Sequence, residues 1–410
     1  MSGTPKTHEV WITGIGLASS LGGDTAAHAH LFSGDPVQPC VDGTRYAPYP
    51  VHPLSDIDFA TQIPKKSDLR QMEDWQRIGV YAAGLALADA GVAGNGALLD
   101  RTHLAVAAGS GERDTKVDCE VLDRLDQRGD AAVLAKEILP GALRPTLFLA
   151  QLSNMLAGNI SIVHNVTGSS RTFMGEEMAG LAAIEDAFRR IRAGQADIVL
   201  AGGALNAERE DLLLGYEIGH NLWRDAHRPV WARAGEQGGF IPGSVGAFLI
   251  LESRPHAEAR GAAPYARLAA FETERTGRGP GDVTRALSDL IARLRVPIPT
   301  GPLPVLSGAS GVAPATDEEL SFFGTLTARG RDPIVRAYGS LIGHGVEAHV
   351  PAGIALAALA LRHGQLPPLS ETDDIELPLT GAVDRVLVTA VGHWRGEGLA
   401  LLERISEKAT

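Results

Sequence analysis

Apolar residues along this chain fall into two alternating rhythms. Continuous apolar, β-branched runs occur at residues 9–13 (EVWIT), 103–111 (HLAVAAGSG), 196–203 (ADIVLAGG), 245–253 (VGAFLILES) and 303–311 (LPVLSGASG). Runs without polar alternation mark strands buried on both faces. Between them the spacing changes to three and four. Met178, Leu181, Ile184, Phe188 and Ile191 form one stripe on a helix closed by Gly194. QRIGVYAAGLALADAG reads as a helix ended by Gly91, ALSDLIARLRV as another, and residues 352–368 as an alanine-rich helix stopped by glycine and prolines. DRVLVTAVGHWRGEGLALLERI predicts two strands around a glycine-rich turn. Such alternation predicts an α/β fold with covered sheets. Element order is comparable in two halves, 8–253 and 254–410, without a repeat in the residues themselves. Residues 33–70, with prolines and few periodic apolars, predict a surface loop.

Composition narrows the function classes. The 410 residues carry a formal net charge of −12 and show no Lys/Arg-rich run, so a nucleic-acid backbone would be repelled. No stretch of about 18 apolar residues appears, and the N-terminus lacks an apolar leader, so neither a membrane span nor export is expected and the reading is cytoplasmic. Cys40 and Cys119 are too few for a disulfide framework or a zinc site of their own. GIGLAS after the first strand has Ser19 where a dinucleotide fingerprint needs its third glycine, so a tight strand-to-helix turn, leading to a helix capped by Asp24, is expected instead. His344, Glu347 and His349 in HGVEAH do not match a zinc spacing. Asn154 and Asn159 read as core polar residues bonded to backbone. No metal or cofactor is expected.

Seven segments carry a family resemblance. VWITGIGLASSLGGD, LALADAGV, RPTLFLAQLSNMLAGNISIVHNVTGSS, AIEDAFRRIRAGQADIVLAGG, VGAFLILESRPHAEARGA, GSLIGH and LALRHGQLPP resemble, in this order, β-ketoacyl-acyl-carrier-protein synthases of the elongating type. The resemblance spans residues 10–402. The run SSRTFMGEE is most similar to ketosynthase-like proteins that accompany a dedicated carrier protein for very-long-chain hydroxy fatty acids of Gram-negative lipid A. It implies a thiolase-like fold, two similar βαβαβαββ halves in five layers (α-β-α-β-α).

The resemblance also implies a site. Ketosynthases use a Cys nucleophile, two His and a supporting Lys. Counting forward from Gly168 and backward from Ile184, without a gap, places Glu177 at the Cys position. His344 keeps the second histidine position, Gly339 stands for the lysine, and Ser307 stands for the first histidine. His393 or Trp394 occupies the position of a gating Phe. At a helix N-terminus the family's thiol is favoured as thiolate and takes the acyl chain from its carrier. A carboxylate there is also stabilised but its acyl product would be a mixed anhydride. Glu177 is then either a helix cap or a site-shaping carboxylate, and His344 either a functional remnant or a satisfied core histidine.

The expected role is a ketosynthase homologue without its nucleophile, the partner subunit of an active ketosynthase in the manner of a chain-length factor, in fatty acid or polyketide elongation on acyl carrier protein. Alternatives are an atypical active 3-oxoacyl-carrier synthase or acyltransferase with Glu177 as base, a malonyl-carrier decarboxylase, and a carrier-binding module. Partners are therefore acyl carrier protein and a homodimer or heterodimer mate, with SSRTFMG at the interface.

Overall fold

The computed structural model describes residues 7–128, 131–142, 148–149, 151–235, 237–370 and 375–405. Part of the RPTLFLAQ stretch lies outside them. The principal elements in chain order are β1 (Val10–Ala18), α1 (Asp74–Asp89), β2 (His103–Ala107), α2 (Asn154–His164), β3 (Ser170–Phe173), α3 (Glu177–Arg192), β4 (Ile198–Leu205), α4 (Glu210–Ile218) and β5 (Val245–Ser253). The second series is β6 (Ala266–Glu274), α5 (Asp282–Arg293), β7 (Gly301–Ser307), α6 (Ala315–Ala328), β8 (Arg331–Ala337), α7 (His349–His363), β9 (Arg385–Val391) and β10 (Glu397–Glu403).

The strands run β3-β2-β4-β5-β1-β6-β10-β9-β7-β8. This order is the same read outward from either side of the β1/β6 seam, once five is added to each strand number. At the seam only Val10, Trp11 and Ile12 pair, with Leu268, Arg267 and Ala266. α1 and α2 cover the outer face of the first five strands, while α5 and α6 cover that of the second five. α3 and α7 lie between the two halves, giving α-β-α-β-α layers. The architecture is the expected five-layered α/β fold. α7 is buried on every side from His349 to Leu361, as befits a helix that is apolar all round.

Most strands appear where continuous apolar runs predict them, and Val245–Ser253 matches to the residue. β1 does not. It continues through GIGLA to Ala18 instead of turning at Gly14. A Cβ at Gly14 would lie 2.5 Å from the Ala86 carbonyl oxygen of α1, so this glycine serves helix–strand approach. Asp24 accepts from Ala27 N at 2.7 Å, but the helix it begins is a short 3₁₀ segment, Ala27–Phe32. The 33–70 stretch is not all surface: Val51, His52 and Ile63 are fully buried, and His52 N donates to the Pro242 carbonyl. The alanine-rich helix begins three residues before position 352, at His349. Asn154 is exposed at the start of α2, and Asn159 is half-buried. Among the described residues no helix is long and apolar enough to cross a membrane.

Candidate functional site

The connection from β3 into α3 is a sharp elbow. Gly175 has φ +127° and Glu176 has φ +50° with ψ −133°, a conformation that costs a non-glycine residue about 1–3 kcal/mol. Strained strand-to-helix turns of this form present nucleophiles in other enzymes. Here the residue delivered at the first position of α3 is Glu177, which is buried.

Two histidines from the second half of the chain meet it. His344 follows a one-turn helix, Gly339–Ile342, and is pinned by its own N–H to the Ile241 carbonyl (2.8 Å) and by Gly243 N–H to its carbonyl (3.1 Å). Its Nε2–H donates to Glu177 Oε1 at 2.9 Å. His393 lies in the β9–β10 turn, whose carbonyls at Gly392 and His393 accept from Arg278. Its Nδ1 is 2.5 Å from the same Oε1, an ion-pair contact without the alignment of a hydrogen bond. Phe240 packs on both rings, at 5.3 and 4.7 Å between centroids.

Burial alone would push the Glu177 carboxyl up. The charge of His393 and the hydrogen bond from His344 outweigh it, and the group is held well below the usual carboxylate range. Burial pulls His344 down, and the Glu177 hydrogen bond only partly opposes it. Glu177 is thus an anion gripped by two imidazoles, more than the exposed helix cap that its position allows.

Two further residues close the floor. His349, the first residue of α7, packs its ring against that of His344, tilted by 47° with centroids 4.0 Å apart, and is held well below the ordinary histidine range by burial, then by repulsion from His344. Glu347 is buried against Gly109, and burial raises its carboxyl to about 7. A cleft of about 360 Å³ beside the cluster is lined among others by Met174, Glu176, Arg209, Tyr216, Glu347 and Trp394, which include immediate neighbours of its residues in the chain and in space. Trp394 is half exposed and stacks on Tyr216 at 5.8 Å, whereas His393 is the inward residue of the pair.

Ser307 does not join this group. Its hydroxyl donates to Glu319 Oε1 at 2.8 Å and accepts from Ala309 N at 3.1 Å. Glu319 is fully buried, with its carboxyl raised to about 7 by desolvation, and Thr389 is its other donor. Gly339 lies beside His349, whose Cε1 would sit 3.6 Å from a Cβ there. His344, Glu347 and His349 do not converge as ligands. Among the described residues the group whose ligating atoms come together is Glu177, His344 and His393, all within 4.8 Å of one another. The glycine-rich turn alone gave a hint of His393; the proximity of His349 to His344 had no sequence signal.

Residues 45–257 match the family described as Beta-ketoacyl synthase, N-terminal domain. The chain is 28% identical over 269 residues to 3-oxoacyl-[acyl-carrier-protein] synthase 2 of Vibrio harveyi, covering 64% of this chain and 62% of that protein. It is 30% identical over 216 residues to the Vibrio cholerae protein of the same name, covering 51% and 49%. The matched part is therefore about half to three fifths of these relatives' length. In three dimensions it is similar to the ishigamide ketosynthase/chain length factor (TM-score 0.77, 20% identity, 98% of this chain and 100% of that one). A beta-ketoacyl synthase from Burkholderia phymatum is similar at TM-score 0.76 and 20% identity, covering 97% and 100%. With the five-layered fold and a family match across more than half its length, the chain belongs to the β-ketoacyl synthase family.

Proposed function

We propose that this chain is a ketosynthase homologue without its nucleophile, the partner subunit of an intact ketosynthase that extends fatty acid or polyketide chains on an acyl carrier protein. Its two thiolase-like halves would be residues 8–253 and 254–410. The observation that carries the reading is the group at the start of α3: a carboxylate that accepts a hydrogen bond from His344 and touches His393, at the position where the family resemblance puts a thiol. An acyl group on Glu177 would be a mixed anhydride, too reactive to store. Cys40 and Cys119 are exposed, and neither belongs to the site. Ser307 is engaged by Glu319, so it offers no polarising donor near His344. The fold with its cleft is nevertheless intact, which is what a subunit that shapes a partner's acyl tunnel requires.

Similarity to a ketosynthase/chain length factor, and to a type II acyl-carrier protein in complex with its ketosynthase at TM-score 0.69, supports a carrier-protein partner. β3 is the outermost strand of the first half, and Met174 just beyond it is 62% exposed, so this edge is the surface assigned to the second subunit. The test is incubation with an acyl-carrier thioester, alone and with a ketosynthase that keeps Cys and both His. Intact mass should show no acyl adduct on this chain, and the mixture should co-elute and yield β-ketoacyl product of altered length. A stoichiometric adduct on this chain, abolished by one substitution, overturns the reading.

One observation favours a second reading, a malonyl-carrier decarboxylase. The tilted His344–His349 contact puts two imidazoles next to each other despite Ser307. Conversion of malonyl- to acetyl-carrier thioester by the purified chain, lost in His344→Ala, would establish it; no CO₂ release would leave the partner reading alone.

A further inference from the structure

We propose that Glu177, His344 and His393 form a binding site for one divalent transition-metal ion, with zinc the best match to the donor set. This goes beyond the partner-subunit reading and does not depend on it, since a metal can brace a silent protomer as well as an active one.

The geometry carries the assignment. Each residue offers one ligating atom, and the three atoms lie within 4.8 Å of one another in a fully buried setting. Two imidazole nitrogens and a carboxylate oxygen, with a fourth position left open, are a recurring zinc donor set. Ligands about 2.0–2.2 Å from a common ion sit about 3.0–3.5 Å apart. His344 Nε2 is 2.9 Å from Glu177 Oε1, already close to that spacing. His393 Nδ1, at 2.5 Å, needs only to swing outward slightly. The three come from a helix start, a one-turn helix and a hairpin turn, each fixed by its own backbone contacts. Such anchoring holds ligands in place before an ion arrives.

The surroundings of His393 point the same way. Its side chain is wholly buried: Nδ1 meets Glu177 Oε1 at 2.5 Å off hydrogen-bond alignment, and Nε2 has no hydrogen-bond partner among the described residues. Buried polar atoms are almost always partnered, so a ring nitrogen crowded against a carboxylate oxygen without an aligned bond is one that an ion could take as ligand. An ion between Nδ1 and Oε1 supplies that partner and removes the crowding between them. Tyr216 and Trp394, which line the outer cleft, both pack on His393 and set the cluster one side-chain layer behind the cleft wall.

The experiment is metal analysis of the full chain, purified without a histidine tag. After incubation with zinc and gel filtration, mass spectrometry of elements should find close to one zinc per chain. Cobalt substituted for zinc should give visible absorption from a low-coordinate site. His393→Phe and Glu177→Gln should each reduce retained metal at least tenfold, while His256→Ala, far from the cluster, should leave it unchanged. Circular dichroism and melting identify a variant that fails to fold; the other variant then decides. Protein that retains no zinc, or retains an equivalent that survives both cluster variants, overturns the proposal. The readout involves no acyl carrier, so its failure is separable from that of the partner-subunit reading.

Discussion

The Glu347 carbonyl oxygen lies 2.5 Å from where a Cβ on Gly180 would stand. The first turn of α3 can therefore rest on the 346–348 turn only because position 180 has no side chain. Gly180→Ala forces the two segments apart, and overpacking of this kind costs about 1–3 kcal/mol. Urea unfolding should show a lower midpoint with an unchanged slope. An unchanged midpoint would mean that these segments are not packed as described.

His28 predicts a pH dependence. Its ring is fully buried, with Nδ1–H donating to the Asp24 carbonyl at 2.7 Å and Nε2 accepting from the Ser19 hydroxyl at 2.8 Å. Burial lowers its pKa to about 4 from 6.5. The unfolded chain then takes up the proton first as pH falls. The stability gained from keeping His28 neutral is complete above about 6.5 and is lost progressively toward 4, by up to about 3 kcal/mol. Comparing unfolding free energies of the protein and His28→Gln at pH 7.5 and 5 checks this. The variant should lose less on acidification, and equal losses would refute it.

What could be read beforehand depended on how local the signal was. β4, β5 and α3 announce themselves because burial on both faces, or on one stripe, writes itself into consecutive residues. β6 and β8 were invisible, since ARLAAFETE and RDPIVRA mix charges into partly covered strands. Glu177 and His344 were placed by counting along the family pattern. The pairing of Glu177 with His393 spans the two halves, and no spacing within either half reports it. Glu176 likewise gave no sign of its positive φ, which a glycine would have advertised.

Glu319 offers a test of buried polar bookkeeping. It accepts from Ser307 and Thr389, and desolvation raises its carboxyl to about 7. Glu319→Gln preserves an acceptor and should be tolerated. Glu319→Ala strands two buried hydroxyls and should cost about 1–3 kcal/mol per orphaned group. Denaturant titration of both variants distinguishes them; equal stability would show that the hydroxyls have other partners.

Glu177→Cys should restore acyl capture without restoring condensation. A thiol at the first position of α3 has its thiolate favoured there, so chelator-treated variant should gain an acyl mass from a carrier thioester. Enolate stabilisation still lacks the donor that Ser307 gives up to Glu319, and loss of one such donor typically lowers rate about 10²–10³-fold. Covalent loading is read by intact mass and β-ketoacyl product by chromatography. Efficient product from the single variant would mean that His349 or His393 serves as the second donor.

Met174→Asp should weaken association at the β3 edge. Met174 is apolar and exposed, close to the strand's open side, and a charge there would be buried by a second subunit. Sedimentation at micromolar concentration should show at least a dimer for the native chain and a shift toward monomer for the variant. A native monomer would remove the interface.

The strand order that reads alike from both sides of the seam has a consequence for synthesis. Glu177 leaves the ribosome more than 160 residues before His344, and still longer before His393. Until those residues arrive, α3 lacks both the imidazoles that hold its first residue and the second half that buries its other face. Burying an unpaired carboxylate is costly, so the nascent first half has reason to keep this helix start hydrated and its packing unfinished. The cluster cannot close before the β9–β10 turn that carries His393 has been made, so it is among the last contacts of the chain that synthesis permits.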